Sequence, residues 1–445
     1  MMALTALTAA PIAAPPPIGA RLDRPPTGQP TVGGPGTPLV SQRGPGATMP
    51  TGAFVSPETT ATLAAREGAM LPALAPTSGT RMQLLVDQGE VLPPLLDSVR
   101  GARSSIDFSM FSLADSGAGK EMVDALVDRA RDGVRVRVTM DQVGSMLFPV
   151  GSAARMVDRL RESGAEVAVN KRLTSEGVEP VDHRKLLVVD GATAYTGGMN
   201  LSSKFGKWHD VMVRLDGPAA AQLGAQFLDR WTDLTVDVAR GTQPAASANE
   251  ALWRTNPGSL VAVRQARDAV GLLVNDPRGE LQASEHLMEN LKRAKDRAWI
   301  MTPTLSDPGV VDALTRAAKR GVDVRVAVSG PEGWIGTRAL GLIGSTFYGD
   351  LVGAGVKVYE QPGMSHAKVS LVDEIASAGS LNMTRRAMLW DHELMVASNA
   401  RSFVHEVEHL FQHDMSVSTL VTAEHANRPV ARIGAAVRRA TGLKW

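Results

Sequence analysis

From Met82 onward, short apolar runs alternate with longer segments of helical spacing. MQLLVD, SSIDFSMFSL and VRVRVTMD (Val134 to Asp141) predict strands, the last with clean period-two alternation. VLPPLLDSVRGA predicts a helix beginning near its prolines. GKEMVDALVDRARDG predicts a helix ending at Gly133, and Ala153 to Glu162 another, followed by the strand EVAVN. RKLLVVD and TAYTG predict a β-hairpin turned with the help of Gly191. HDVMVRLDG supplies a strand carrying Asp210, and a helix from Pro218 to about Trp231 closes the half. Such alternation implies a sheet covered by helices, an α/β fold.

The second half replays the first. RARDGVRVRV at Arg129 to Val138 is answered by AAKRGVDVRV at Ala317 to Val326, and SGAEV by AGVKV. WHDVMV is answered by WDHELMV. The predicted organisation is a leader over 1–81, one domain over 82–240, a linker over 241–259, a second domain over 260–415 and a basic tail over 416–445. About half of the 27 prolines lie in the leader, which is poor in charge and aromatics and is expected to be disordered, with a short helix from Pro57 to Gly68. In the tail, Val430, Ile433, Val437 and Leu443 fall on one helical face, which reads either as an amphipathic surface binder or as a packed terminal helix.

Composition narrows the chemistry. The 47 basic and 46 acidic residues leave a formal charge of +1, which argues against a nucleic-acid binder. The chain has no cysteine, so disulfides, thiolate metal sites and cysteine nucleophiles are excluded. It holds no uninterrupted apolar run long enough to span a bilayer. The first residues lack a positive n-region and a proper apolar h-region, against a secretory signal peptide. The expected location is soluble or peripheral to a membrane, in a bacterial cytoplasm, with export left open.

The chemistry concentrates in two stretches. DHRKLLVVDGATAYTGGMN carries His183, Lys185, Asp190, Gly197-Gly198 and Asn200. HAKVSLVDEIASAGSLN carries His366, Lys368, Asp373, Gly379 and Asn382, its Gly one residue earlier, which predicts a shorter hairpin. On an extended strand the His and Lys, two apart, project to one face. The glycine pair is expected to let backbone approach a ligand. Asp210 lies 27 residues after His183, and Glu393 lies 27 after His366. A duplicated unit with paired motifs predicts a pseudo-two-fold arrangement with the site at the seam. Together, two imidazoles, two ammonium groups and two amides make a receptor for a phosphate. One imidazole can attack phosphorus while the other moves protons, with lysines in place of a metal or cofactor. Asp210 and Glu393 are the expected tautomer-fixing partners.

The pattern H-x-K-x4-D, followed by Gly-Gly or Gly-Ser and Asn, resembles the signature of the phospholipase D superfamily over about Met82 to Met415. HRKLLVVDG, GGMN and WHD look most like its bacterial cardiolipin synthase branch. The resemblance implies two fused repeats, each a mixed sheet flanked by helices. It implies a covalent phosphohistidine and transfer or hydrolysis at a phosphodiester. The expected substrate is a phospholipid at a membrane surface, with water, an alcohol or a second lipid as acceptor. The branch commonly has N-terminal membrane helices where this chain has its leader. By analogy His183 is the nucleophile and His366 the general acid/base, with the reverse open. Asp190 and Asp373 are implied to be mainly structural, with Lys185, Lys368, Asn200 and Asn382 on the phosphate. Alternatives are a metal-independent nuclease and a phosphate-binding scaffold.

Other patterns carry less. His405 to His409 matches the zincin motif H-E-x-x-H but lacks a third ligand, and sits where the second half's closing helix is expected, Phe411 and Asp414 echoing Phe227 and Asp229. SGAGKE at Ser116 to Glu121 lacks the Ser or Thr that a P-loop needs after Lys120. Phe148, Trp334 and Phe347 are expected in loops bordering the site, as an apolar mouth or a loop anchor.

Overall fold

The computed structural model describes residues 76–146, 149, 151–171, 173–174, 177–178, 180–235, 263, 268–277, 279–330 and 341–441. The expected leader up to residue 75, its short helix and the linker over 241–259 lie outside the described residues, as do Phe148 and Trp334.

The first repeat runs β1 (Arg81–Val86), α1 (Asp87–Arg100), β2 (Ser105–Met110), α2 (Ala118–Arg131), β3 (Arg135–Asp141), α3 (Gln142–Ser145), α4 (Ser152–Glu162) and β4 (Glu166–Asn170). It continues with β5 (Leu173–Thr174), β6 (Gly177–Val178), β7 (Lys185–Val189), β8 (Thr193–Gly197), β9 (Val211–Asp216) and α5 (Pro218–Thr235). The second repeat runs β10 (Val270–Asp276), β11 (Glu280–Leu281), α6 (Gln282–Arg293), β12 (Arg297–Thr302), α7 (Pro308–Lys319), β13 (Asp323–Ser329), α8 (Tyr348–Gly353) and β14 (Lys357–Gln361). Then follow β15 (Val369–Val372), β16 (Ile375–Gly379), α9 (Arg385–Leu389), β17 (Glu393–Ser398), α10 (Arg401–Val417), β18 (Thr419–Leu420), α11 (Ala423–Ala426) and α12 (Pro429–Thr441).

The sheets repeat one another. The first has the order β1-β9-β8-β7-β2-β3-β4. The second has the order β11-β10-β17-β16-β15-β12-β13-β14-β18, the same topology with one short strand added at each edge. In each, three parallel strands join an antiparallel hairpin, β7–β8 or β15–β16. Both faces of the hairpins are covered, which explains why LLVV runs without a polar residue and why VSLV admits only a buried Ser370. One face of each sheet meets the other repeat in a common apolar layer. There Leu186, Val188 and Val213 share a core with Val369, Leu371 and Val396, closed by Phe227 of α5 and Phe403 and Phe411 of α10. Burying that layer joins the two repeats into one body, so each repeat's loops are held in fixed register against the other's.

Two local expectations change, at α1 and at the α5–α10 pairing, and at Phe347 the structure decides for the loop anchor over the apolar mouth. α1 starts at Asp87 and carries Pro93 and Pro94 inside it, rather than beginning at them. It forgoes two intrahelical bonds, and the burial of Val91, Leu92, Leu95, Leu96 and Val99 offsets that loss. The carbonyl of Pro94 is taken up by Ser98 and by Tyr195 Oη, each at 2.9 Å. Phe347 is buried in the second repeat's core and takes no part in an apolar mouth. The interval that pairs α5 with α10 runs from Phe227 and Phe411 to Arg230 and Asp414, both buried, not to Asp229. Among the described residues no helix is long and apolar enough to cross a membrane.

Candidate active site

The two motifs meet at the seam through backbone. The His183 amide donates to the carbonyl of His392 at 3.0 Å, and the His392 amide to that of Val181 at 2.9 Å. Across the pseudo-two-fold, the His366 amide donates to His209 O at 2.7 Å and the His209 amide to Met364 O at 3.0 Å. His183 and His366 therefore stand just ahead of β7 and β15, in extended segments that bridge the repeats rather than within the strands.

The bridges place each histidine against the carboxylate that follows the other repeat's bridging residue. His366 Nδ1 lies 2.7 Å from Asp210 Oδ2. His183 Nδ1 lies 3.1 and 3.2 Å from the Glu393 oxygens and 3.1 Å from the carbonyl of Ser380. A carbonyl only accepts, so Nδ1 of His183 carries the proton and Nε2 keeps its lone pair. Phe111 packs edge-on to His183 at 4.8 Å between ring centres, and Trp208 lies 5.3 Å from His366. These rings fix the imidazole planes from the sides that hydrogen bonds leave open.

Lys185 and Lys368 are fully buried. Lys185 donates to the carbonyl of His183 at 2.6 Å, and Lys368 to that of His366. The expected His-x-Lys adjacency holds, with each ammonium also anchoring its own histidine's backbone. Burial lowers Lys185 to about 8 and Lys368 to about 7, although Glu393 and Asp210 oppose the shift. Buried cations this easily discharged are stabilised by an anion placed beside them. Asn200 follows β8, is buried, and its Oδ1 has no hydrogen-bond partner among the described residues. Asn382 keeps the same interval from Gly379 and is half-buried. The shorter second hairpin loses its residue in the turn, Asp373-Glu374 against Asp190-Gly191-Ala192, so the asparagine is not displaced.

The glycines serve packing. A Cβ on Gly197 would fall 2.3 Å from Val211 O, and one on Gly379 2.2 Å from Leu394 O. Gly198 admits the Asp210 carboxylate, which a Cβ would meet at 2.2 Å, so the pair makes room for Asp210 rather than for a ligand. In the second repeat Ser380 fills that place and donates its hydroxyl to Glu393.

Asp190 and Asp373 lie at the far ends of β7 and β15 from the histidines. Both have positive φ, near 50°. Asp190 accepts from the amides of Arg103, Ser104 and Ser105, and Asp373 from those of Lys295, Asp296 and Arg297. They tie each hairpin to the strand beside it and do not reach the seam. For Asp190 partial burial is outweighed by these amide bonds, which hold its carboxyl down to about 2.

Beneath each histidine is a polar cluster that spacing alone did not reveal. Under His183, Arg184 bonds Asp182 at 2.9 and 2.8 Å, Arg230 bonds Asp182 at 3.1 Å and Asn170 at 2.7 Å, and Asn170 bonds Asp141 at 2.7 Å. Under His366, Asp414 replaces Arg230 and Gln361 replaces Asn170, joined at 3.1 Å. Asp414 also holds His209 Nε2 at 2.9 Å, and Asp87 holds its Nδ1 at 3.0 Å. The same helical position thus has opposite charge in the two repeats. Burial and then Arg230 hold His392 well below the ordinary histidine range. Burial would lower His209 too, but Asp414 and Asp87 raise it to about 10. Matching α5 to α10 on Phe227 and Phe411 shows the Arg230–Asp414 inversion in the sequence.

His209 therefore contributes stability that is fully present below about pH 6.5 and is lost as pH rises through about 10. The variant His209→Ala, which leaves Asp414 buried without its cation, is expected to lose about 3 kcal/mol near neutrality. Urea unfolding at pH 6.5, 8 and 10 checks this. The gap from the parent should narrow toward pH 10, and a constant gap would show that the ion pair is not its source.

The zinc pattern does not form a metal centre. His405 and His409 are exposed on α10, 3.1 Å apart through Nε2. Glu406 accepts from the Leu84 amide and Glu408 pairs with Arg297. No group of three or more potential ligands assembles among the described residues.

Comparison with known proteins agrees with this geometry. The family model described as "Cardiolipin synthase, PLD-like domain" matches residues 95–231 and 287–415, one segment in each repeat. Cardiolipin synthase A of Pseudomonas syringae pv. syringae (strain B728a) is 29% identical over 390 residues, 83% of this chain and 75% of that protein. Cardiolipin synthase A of Pseudomonas putida (strain GB-1) is 31% identical over 371 residues, 80% of this chain and 72% of that protein. The fold is also that of the Haemophilus influenzae phosphatidylserine synthase crystal structure, at a TM-score of 0.60 and 15% identity, covering 84% of this chain and 96% of that one. With a matched segment on each side of a seam where His183 meets Glu393 and His366 meets Asp210, the chain belongs to the phospholipase D-like cardiolipin synthase family.

Proposed function

We propose that this protein is a phosphatidyltransferase that moves a phosphatidyl group from one phospholipid to a hydroxyl acceptor through a phosphohistidine. The observation that carries this reading is the crossed pairing of two buried histidines with two carboxylates, over two buried lysines. His183 is the nucleophile. Burial, then Lys185 and Lys368, hold it well below the ordinary range, and burial pushes its partner Glu393 up to about 8. A neutral imidazole beside a largely neutral acid presents a free lone pair. His366 is the general acid. Burial and Lys368 lower it to about 3, against the pull of Asp210. A bound phosphodiester offsets the lysine charge, and the short contact to Asp210 then favours the imidazolium.

In the first step Nε2 of His183 bonds to phosphorus, and the P–O bond to the leaving alcohol breaks. That oxygen takes the proton of His366. In the second step His366 removes the proton of the incoming hydroxyl, whose oxygen bonds to phosphorus as the P–N bond breaks. Lys185 and Lys368 balance the charge on the phosphoryl oxygens, with Asn200 and Asn382 donating their amides. The donor is phosphatidylglycerol or a lipid like it, and the acceptor a second lipid alcohol.

Incubation with a mixed panel of phospholipids and oligonucleotides in EDTA, read by mass spectrometry, tests the reading. Cardiolipin is expected from phosphatidylglycerol. Phosphatidic acid alone would make water the acceptor, and cleaved oligonucleotide with intact lipid would overturn the lipid assignment.

A further inference from the structure

Four of the seven large apolar side chains exposed among the described residues, Met146 (66%), Leu342 (59%), Ile433 (65%) and Val437 (49%), lie on segments that packing links to the seam. Met146 follows α3 at the C-terminal end of β3, two residues after Gly144. Gly144 presses so closely on Phe111 that a Cβ would meet its carbonyl at 1.7 Å, and the Phe111 ring touches His183. In the second repeat the link is through packed backbone. Gly434 of α12 abuts Thr346, and Arg438 donates to the Thr346 carbonyl at 3.4 Å. Gly344 abuts Leu305, and Leu305 bridges Met383, the residue after Asn382.

α12 is two-faced. Ala431 and Ala435 are buried, and Arg438 lies 3.9 Å over the Phe347 ring and pairs with Asp350. The opposite face presents Ile433 and Val437, four residues apart, while Arg428, just before the helix, and Arg432 are exposed on the flank between that face and the buried one. After Asn427 the chain has five basic residues and no acidic one. An apolar pair with a cationic flank fits an anionic bilayer, which accepts the apolar side chains below its headgroups and attracts the arginines at their level.

We propose that the active-site end is a membrane-docking face, with α12 as its amphipathic anchor and an anionic lipid bilayer as its partner. This rests on the phosphatidyltransferase reading, because it presents the seam to the surface that holds the donor lipid. Docking is reversible and depends on salt, since the helix is short and part of its attraction is electrostatic.

Co-sedimentation with vesicles of phosphatidylcholine, with and without phosphatidylglycerol, tests the proposal. The parent protein should bind the anionic vesicles and lose them at high salt. Ile433→Asp combined with Val437→Asp should weaken binding at least tenfold. Arg428→Glu combined with Arg432→Glu should weaken it about 30-fold. Both pairs are exposed, so the fold should persist, and turnover of monomeric short-chain phosphatidylglycerol should match the parent's. Vesicle binding unchanged in both double variants would overturn the proposal. So would a parent dimer that the apolar substitutions dissociate without loss of vesicle binding, which would make the face a self-association surface. A protein that docks but transfers no phosphatidyl group from any lipid would instead defeat the functional reading alone.

Discussion

Replacing His183 with alanine is expected to lower phosphatidyl transfer by about 10^5-fold, because the variant loses the nitrogen that bonds to phosphorus while His366 stays committed to proton transfer beside Asp210. The tautomer argument makes this specific. Ser380 O lies 3.1 Å from Nδ1 and can only accept, which directs the lone pair of Nε2 away from Glu393. Steady-state turnover and capture of a phosphorylated protein measure the effect. The parent, quenched during turnover, should carry the phosphoryl adduct on His183, and His183→Ala should carry none. An adduct mapped to His366 would reverse the two roles while leaving the double-displacement scheme intact.

His366→Ala separates the acid from the nucleophile. With a lipid alkoxide leaving group the loss should be about 10^2 to 10^4-fold, the range of general acid–base catalysis. With a 4-nitrophenyl phosphodiester, whose phenolate departs without a proton, formation of the adduct should fall by only about tenfold. Its breakdown still requires His366 to activate the acceptor, so the adduct should accumulate on His183. A burst of nitrophenolate followed by arrest is the expected trace. Equal losses in the rate of adduct formation on both substrates would remove the general-acid role. The 2.7 Å contact to Asp210 makes Asp210→Asn a milder form of the same lesion, since the amide cannot support the imidazolium as a carboxylate does.

Much of this site is legible along the chain. A strand alternates its side chains every residue, so His and Lys two apart share a face wherever the segment is extended. The same interval of 27 residues from each histidine to Asp210 or Glu393 marks one supersecondary unit used twice. Burial on both faces explains why KLLVV and VSLV are apolar apart from the buried Lys185 and Ser370. Duplication alone therefore fixes that there are two half-sites and which residue types each contributes.

Which half-site completes which was left to the tertiary structure. Intervals within a repeat leave open which carboxylate serves which histidine, and the fold gives Asp210 to His366 and Glu393 to His183. The reason is the shared apolar layer, which sets the two sheets face to face and brings each bridging segment against the other repeat's, with backbone bonds at His183–His392 and His366–His209. The charge inversion between Arg230 and Asp414 acquires its meaning the same way. Each belongs to a helix of one repeat and acts on a histidine of the other, His392 or His209. Sequence determines the parts and their local geometry, because dihedral preferences and side-chain period are local. Their partners, and with them the electrical difference between the two histidines, come from long-range packing that no interval along the chain encodes.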